Sequence, residues 1–381
     1  MFAPIAIENI AFPQSSSLST LDSIPESFEA WSAYCSVPTS STYTSSSVTT
    51  GRNGVYRYGM GPNDRILGVL EGGTSPYVWD TQTNTSSSVS FTTPGTIRNV
   101  LWDNVTNSWV VFGTNSLLKV DCDTLAVTTI TNPSNYGTQY ASSVVFGGKA
   151  YGLPLVSTTT NTGVAIWDLV ANTATTSSVK VGGTGGFWGA VVTSVGSIYF
   201  SKEVGGTNNS IFEYWPSLDS GSLFGTMSGN TGYGLTNLPD GKVFTAGLGI
   251  NNTAFIINPI DKTIQTLSSP GFGYQTGLCV GQNGHVYGIR SAATGTSAIW
   301  GFNPITQTGY QSQYFVQAAT SGDRGFQDLF QLSDGRLVAM PGQNQNPNGL
   351  VYYWTYLSQP ANNTFSSIGA VNPIMGNAKG T

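Results

Sequence analysis

A turn followed by a short apolar strand returns seven times along this 381-residue chain, at intervals of 41 to 51 residues. Its anchors are Ile66, Trp109, Ala150, Ile198, Val243, Val286 and Leu337, and turn signals such as Asp240-Gly241, Asn283-Gly284 and Asp334-Gly335 precede them. A second series keeps step with the first. It is a strand that ends in an aromatic or aliphatic residue, usually followed by Asp or Asn, as in Val78-Trp79-Asp80, Ile166-Trp167-Asp168 and Gly301-Phe302-Asn303. Two series in register over seven units define a structural repeat, and short-strand repeats of this period form β-propellers.

Each unit has room for an inner strand, the turn-led strand, the aromatic-ended strand and a Ser/Thr-rich outer one. In the fifth unit these fall at 234–238, 242–246, 253–257 and 263–267. A lone sheet of this size cannot bury both faces, so it stacks on its neighbours, and a closed ring needs no caps. Asp-Gly and Asn-Gly before the second strand supply the positive φ of a tight hairpin. Asp80, Asp121, Asn258 and Asn303 stand where a short polar side chain bonds its own backbone, and Pro259 and Pro304 pre-set φ there. Trp79 and Trp167 belong in the packing between sheets. The expected fold is all-β: a seven-bladed β-propeller of four-stranded antiparallel blades over residues 51–368. A non-repeat N-terminal arm (1–50) precedes it and a C-terminal tail (369–381) follows.

Charged residues make up only 9% of the chain, far below the usual quarter, and Ser, Thr, Asn and Gly fill the gap. A net charge of −5 with 14 scattered basic residues makes no basic patch, which argues against nucleic-acid binding. No apolar run reaches membrane-spanning length. Cys35, Cys122 and Cys279 lack metal-ligand spacing, and Cys279, within an apolar strand, reads as a small buried hydrophobe. The N-terminus lacks the basic start and long apolar core of a classical signal peptide, yet the composition suits an extracellular surface. A virion protein reconciles the two, because it is made inside a cell and works outside one; removal of a leader or a non-classical export route would reconcile them as well. The expected location is a virion surface or the extracellular space.

The arm carries an apolar stretch at 2–12, a Ser-rich link and an almost wholly Ser/Thr segment at 39–50. Two roles fit it: an anchor onto other virion proteins, and an outer strand near 42–50 that closes the ring.

Catalytic chemistry has little to rest on. His285 is the single histidine and takes the turn position of Lys242 and Arg336, so it is expected to face solvent. A Ser/His/Asp triad would depend on it alone, and a His-based metal centre is excluded by count. Asp323 and Asp328, with Arg324, are the tightest acidic grouping and do not define a glycosidase pair. No catalytic residue, metal or cofactor is expected.

The loops leading into the inner strands carry Gly beside aromatics and amides, and such loops converge at one mouth of a propeller channel. The candidates are Tyr140, Phe187, Trp188, Tyr233, Tyr274, Gln275, Phe326, Gln327 and Asp328, with Trp188 and Tyr274 foremost. Rings that stack on apolar sugar faces, beside amides that pair with hydroxyls, suit a saccharide. The same residues would also serve to pack between blades or plug the channel.

The units Asp240-Gly-Lys-Val-Phe with Ile256-Ile-Asn-Pro, and Asn283-Gly-His-Val-Tyr with Gly301-Phe-Asn-Pro, resemble kelch-type and related propeller repeats. The resemblance spans about 51–368. It implies the architecture and a binding scaffold that is less often an enzyme. The function expected is a non-enzymatic virion component, such as a phage spike, fibre or capsid-associated propeller. It would present loops to a host receptor, a surface glycan, and dock through its arm. A secreted lectin or adhesin and a carbohydrate-active enzyme are the alternatives.

Overall fold

The computed structural model describes residues 43–45, 56–70, 76–92, 94–133, 140, 142–154, 162–181, 186–204, 208–228, 231–247, 253–267, 275–291, 296–311, 315–316, 326–341 and 352–354. Its first strand, β1 (Tyr43–Ser45), stands apart from the units that follow. Six antiparallel blades come next, each of four consecutive strands in spatial order. The first is β2 (Tyr56–Met60), β3 (Arg65–Leu70), β4 (Tyr77–Asp80) and β5 (Thr85–Ser88); the second is β6 (Ile97–Asp103), β7 (Ser108–Gly113), β8 (Ser116–Asp121) and β9 (Val127–Thr131). The third is β10 (Ser142–Phe146), β11 (Lys149–Leu153), β12 (Thr162–Asp168) and β13 (Thr173–Val181); the fourth is β14 (Gly186–Val192), β15 (Ile198–Val204), β16 (Asn208–Trp215) and β17 (Ser220–Ser228). The fifth is β18 (Thr231–Asn237), β19 (Val243–Gly247), β20 (Ala254–Asn258) and β21 (Thr263–Leu267). The sixth is β22 (Gln275–Val280), β23 (Val286–Ser291), β24 (Thr296–Asn303) and β25 (Thr308–Gln311), with β26 (Phe315–Val316) on the far end of β24.

The last unit contributes β27 (Phe326–Gln331), β28 (Leu337–Pro341) and β29 (Tyr352–Trp354) only, and β1 completes its sheet in the order β1-β29-β28-β27. The repeat count would give seven alike blades. The described chain has six continuous ones and one sheet assembled from its two ends. Tyr43 pairs with Trp354 and Ser45 with Tyr352, so a segment of the arm serves as an outer strand. The rest of residues 1–50 and the tail 369–381 lie outside the described residues.

Local chemistry sets the hairpins. Gly148, Gly196, Gly241, Gly284 and Gly335 lie in the turns after inner strands at φ between 60° and 88°, where a side chain would be strained. In the turns between third and fourth strands, Asp80 Oδ1 accepts from the backbone N–H of Gln82 and Thr83. Asp121, Asp168, Asn258 and Asn303 repeat the pattern. Four residues after each turn start the chain enters the left-handed region, at Asn84, Leu125, Asn172, Lys262 and Gln307. These turns and the glycine turns lie at one end of the sheets, the tight-turn face. The longer connections run at the other end, because strand direction alternates.

Inner strands β2, β6, β10, β14, β18 and β22 pack each on the next, and β27 packs on both β22 and β2, which closes the ring. Between neighbouring sheets lies an apolar core. Trp109 fills the one between the first and second blades, and Trp167 the one between the second and third. Trp79 lies with Tyr58, Ile66, Phe330 and Met340 in the core that joins the first blade to the composite sheet. Polar bonds clasp the same junction: Ser333 donates from N and Oγ to the Asp64 carboxylate at 2.8 and 2.5 Å. Trp79 and Trp167 are both fully buried. Replacing either by Ala should lower unfolding free energy by about 3–5 kcal/mol. Urea melts of both variants would test this, and unchanged midpoints would contradict the assignment of these cores.

Candidate functional site

The inner strands bring one residue each to a common level, counted inward from the anchors: Arg57, Asn99, Ser142, Gly189, Gly234, Gly277 and Asp328. All seven are buried. Several contacts of this girdle run forward to the next sheet. Asn99 Nδ2 donates to Ser143 Oγ at 2.9 Å, and Ser142 Oγ to the Gly189 carbonyl at 2.6 Å. Tyr58 N–H donates to Asp328 Oδ2 at 3.3 Å across the closing junction. Gly277, at φ +59°, has Leu329 N only 2.7 Å from where a Cβ would stand. The backbones converge closely here, and glycine or a short hydrogen-bonding side chain stands at every girdle position except Arg57.

Four inner strands bulge one step toward the mouth, and a fifth, β22, bulges at Gly277 itself. Extra residues enter between Ile97 and Asn99, Phe187 and Ala190, Thr231 and Gly234, Thr276 and Leu278, and Phe326 and Asp328. A bulge twists its strand and re-aims side chains, and it recurs beside functional sites. The bulges put Arg98, Trp188, Tyr233 and Gln327 at one level of the mouth, with Tyr56 beside them in register. Trp188 and Arg98 are half-buried.

The expected ring is thus divided. Trp188, Tyr233 and Gln327 lie at the bulged level. Tyr140 is 1% exposed and stands edge-on to Trp167, with ring centroids 4.9 Å apart. Phe187 is fully buried in the core between the third and fourth blades, with Lys202 Nζ 5.8 Å from its ring centre. These two occupy the packing role that the sequence left open beside ligand contact. Asp328 is 2% exposed and belongs to the girdle. Gln275 and Phe326 begin their inner strands. Tyr274 lies outside the described residues, as do Asp323 and Arg324. Sequence reading missed Arg98, whose unit lacks the Gly-aromatic signal, and Tyr56, which stands beside Gly54; the register aligns them.

His285 corrects an expectation. Its backbone repeats the sister turns, since its carbonyl accepts from Gly281 N–H at 2.8 Å just as those of Lys242 and Arg336 accept from Leu238 and Leu332. Its side chain is fully buried, not solvent-facing. The sister cations reach out to a carboxylate in their own turn, Lys242 to Asp240 at 2.7 Å and Arg336 to Asp334 at 2.6 Å. The sixth blade has Asn283 there. Its amide donates to Tyr287 Oη and its Oδ1 accepts from His285 N–H, so no anion draws the imidazole outward.

Carboxylates of the tight-turn face are likewise engaged in structure. Asp219 accepts from Ser177, Ser178 and Tyr214 across the third and fourth blades, and the Ser177 hydroxyl above all holds its pKa below the usual range. Glu213 pairs with Lys262 of the fifth blade at 2.6 Å. Among the described residues no group of three His, Cys, Asp or Glu could hold a metal ion, and no helix is long and apolar enough to cross a membrane. Cys122 and Cys279 are buried free thiols.

No protein-family model matches the chain, and no curated protein matches it by sequence. Solved structures do match. A streptogramin B lyase superposes with a TM-score of 0.64 at 12% identity, over 84% of this chain and 99% of that one. Virginiamycin B lyase from Staphylococcus aureus gives 0.62 at 10%, over 83% and 99%. The WD40 β-propeller domain of Doa1 gives 0.56 at 11%, over 83% and 97%. At such identities the likeness is one of fold. The chain is a β-propeller with four-stranded antiparallel blades.

Burial makes two positions sensitive. Desolvation lowers the His285 pKa from 6.5 to about 4. The fold therefore favours the neutral ring, and the stability this contributes is complete above pH 6.5 and is lost as pH falls toward 4. Acidification across that window should lower stability by on the order of 2–3 kcal/mol more in the wild type than in His285→Gln, read by melts at each pH. Gly277→Ala should destabilise by about 1–3 kcal/mol, from its positive φ and its contact with Leu329, as urea melts would measure.

Proposed function

We propose that this chain is a non-enzymatic recognition propeller. It presents its bulged channel mouth to a saccharide on a host surface, as a component of a virion docked through its N-terminal arm. The observation that carries the reading is the division of labour between the two ends of the ring. Described acidic side chains at the tight-turn face are spent on turns and blade-to-blade bonds. The inner strands at the other end bulge, which brings the positions of Arg98, Trp188, Tyr233 and Gln327 to one level of the ladder. A stiff stacked ring with variation at one mouth suits recognition. The low-charge Ser/Thr/Asn/Gly composition supports an extracellular setting.

In this reading the composite sheet counts as a seventh blade, closed by β1, and the repeats are kelch-like. Closure by β1 also ties the arm mechanically to the ring, which suits an anchoring role for the residues before it.

An enzymatic reading draws on the lyases among the structural neighbours. One of them is described as a catalytically inactive histidine-to-alanine variant bound to quinupristin. The single histidine here is fully buried in a turn at the far end from the bulged mouth, which weighs against a comparable role.

Purified protein on a glycan array should bind a defined saccharide set without releasing reducing ends. Trp188→Ala should weaken that binding about tenfold or more while leaving the melting midpoint unchanged. Reducing-end release that tracks binding would overturn the non-enzymatic assignment. Absence of the protein from the mass spectrum of purified virus particles would overturn the virion setting.

A further inference from the structure

The tight-turn face carries apolar side chains that the packing of the ring does not use. Six large ones stand exposed among the described residues, and five of them, Val105, Phe146, Val170, Leu218 and Ile260, sit in or beside its turns. They run over consecutive blades, from the second to the fifth. Where the second blade meets the third they form one patch. A Cβ built on the buried Gly148 would stand 3.1 Å from Val105 Cγ1 and 3.3 Å from Val170 Cγ2, so valines of two blades flank one glycine. A Cβ on the neighbouring Gly147 would meet nothing within 4 Å, and Phe146, which opens that hairpin, is 41% exposed.

Turn formation does not ask for these side chains. Asp168 Oδ1 accepts from Val170 N–H, a bond that almost any residue supplies, and the same place holds Gln82 in the first blade and Asp123 in the second. Val105 N–H likewise donates to Asp103 Oδ1. Apolar residues scattered singly over a surface need no explanation, whereas neighbours across two blades mark a contact site.

The chain itself supplies a cover. Tyr43 pairs with Trp354 and Trp354 with Leu337, two residues past Gly335, so β1 begins at the tight-turn end of its sheet. Residues 1–42 therefore join the ring at this face and not at the mouth. They lie outside the described residues. Their densest apolar stretch is 2–12, which holds Phe2, Ile5, Ile7, Ile10 and Phe12 with Glu8 as its one charged side chain. The link from 13 to 42 can extend about 100 Å, enough to bring that stretch to any turn of the face.

We infer that residues 2–12 fold back onto the tight-turn face and cover Val105, Phe146 and Val170, so that the arm shields the base of its own ring. Burying these side chains against the isoleucines and phenylalanines of the arm removes apolar surface of both from water. The inference goes beyond the recognition reading and does not depend on it.

Photo-crosslinking in the full chain tests it. With p-benzoylphenylalanine in place of Val170, irradiation of dilute protein should give cross-links on the monomer that map by mass spectrometry to 2–12. The same probe in place of Gln82, the matching turn position of the first blade, should capture that stretch at most about a fifth as well. Adding Ile7→Ser and Ile10→Ser should lower capture at position 170 about fivefold or more, with the hydrogen-exchange protection of the ring strands retained as the control for folding. Cross-links confined to a dimer would give the patch to a second copy and overturn the inference. Capture of other arm segments, equal capture from positions 82 and 170, capture insensitive to the isoleucine substitutions, or no capture at all would each overturn it too. None of these results bears on saccharide binding, which the glycan array reads separately.

Discussion

Everything in this molecule leans on the approach of one inner strand to the next. Around the axis, inner strands place small or hydrogen-bonding residues against the inner strand of the next sheet. Asn99 meets Ser143, Ser142 meets Gly189, Gly277 meets Leu329, and Asp328 meets Tyr58. The sheets splay outward from this girdle, and the widening gap is filled by Trp79, Trp109, Trp167 and Trp300. No sheet buries its faces alone. The last junction, which joins residues 269 and 270 apart in sequence, must therefore be as well made as the others. A full apolar core and the Asp64–Ser333 clasp make it so.

The same construction separates rigidity from recognition. Paired turns and cross-blade polar bonds concentrate at one end of the ring. Asp219 bridges the third and fourth blades there, and Lys262 with Glu213 the fourth and fifth. The other end relaxes the ladder by inserting residues into its inner strands, at the level where Arg98 and Trp188 stand half-buried. A bulge costs ladder bonds, and a ring stabilised by stacking tolerates that cost where it re-aims side chains.

Much of the fold was legible because turns are written in local chemistry. Gly241 and Gly284 need positive φ, Asp80 and Asn258 bond their own turns, and the fifth blade's strands fall within a few residues of the sequence reading. The candidate site was legible only in part. Gly beside an aromatic marks a place where backbone and ring come close, but not whether the ring points to a core or to the channel. Phe187 and Trp188 are adjacent, yet the bulge leaves the first opposite Lys202 in a core and the second half-buried at the mouth. His285 was misjudged for a similar reason. Its backbone matches its sisters, while its side chain answers to Asn283 in place of an aspartate.

By itself the sequence determined the repeat, the strand and turn chemistry, and the need for the units to stack, since these depend on neighbours along the chain. Only the tertiary structure decided how the ring closes and which inner-strand residues come level with one another. Those outcomes depend on register between strands far apart in sequence. Strand β1 joins β29, five bulges shift the alternation of facing side chains, and Arg98 comes level with Trp188 and Gln327. A repeat states what each blade is; the stacking of blades around an axis states what each residue meets.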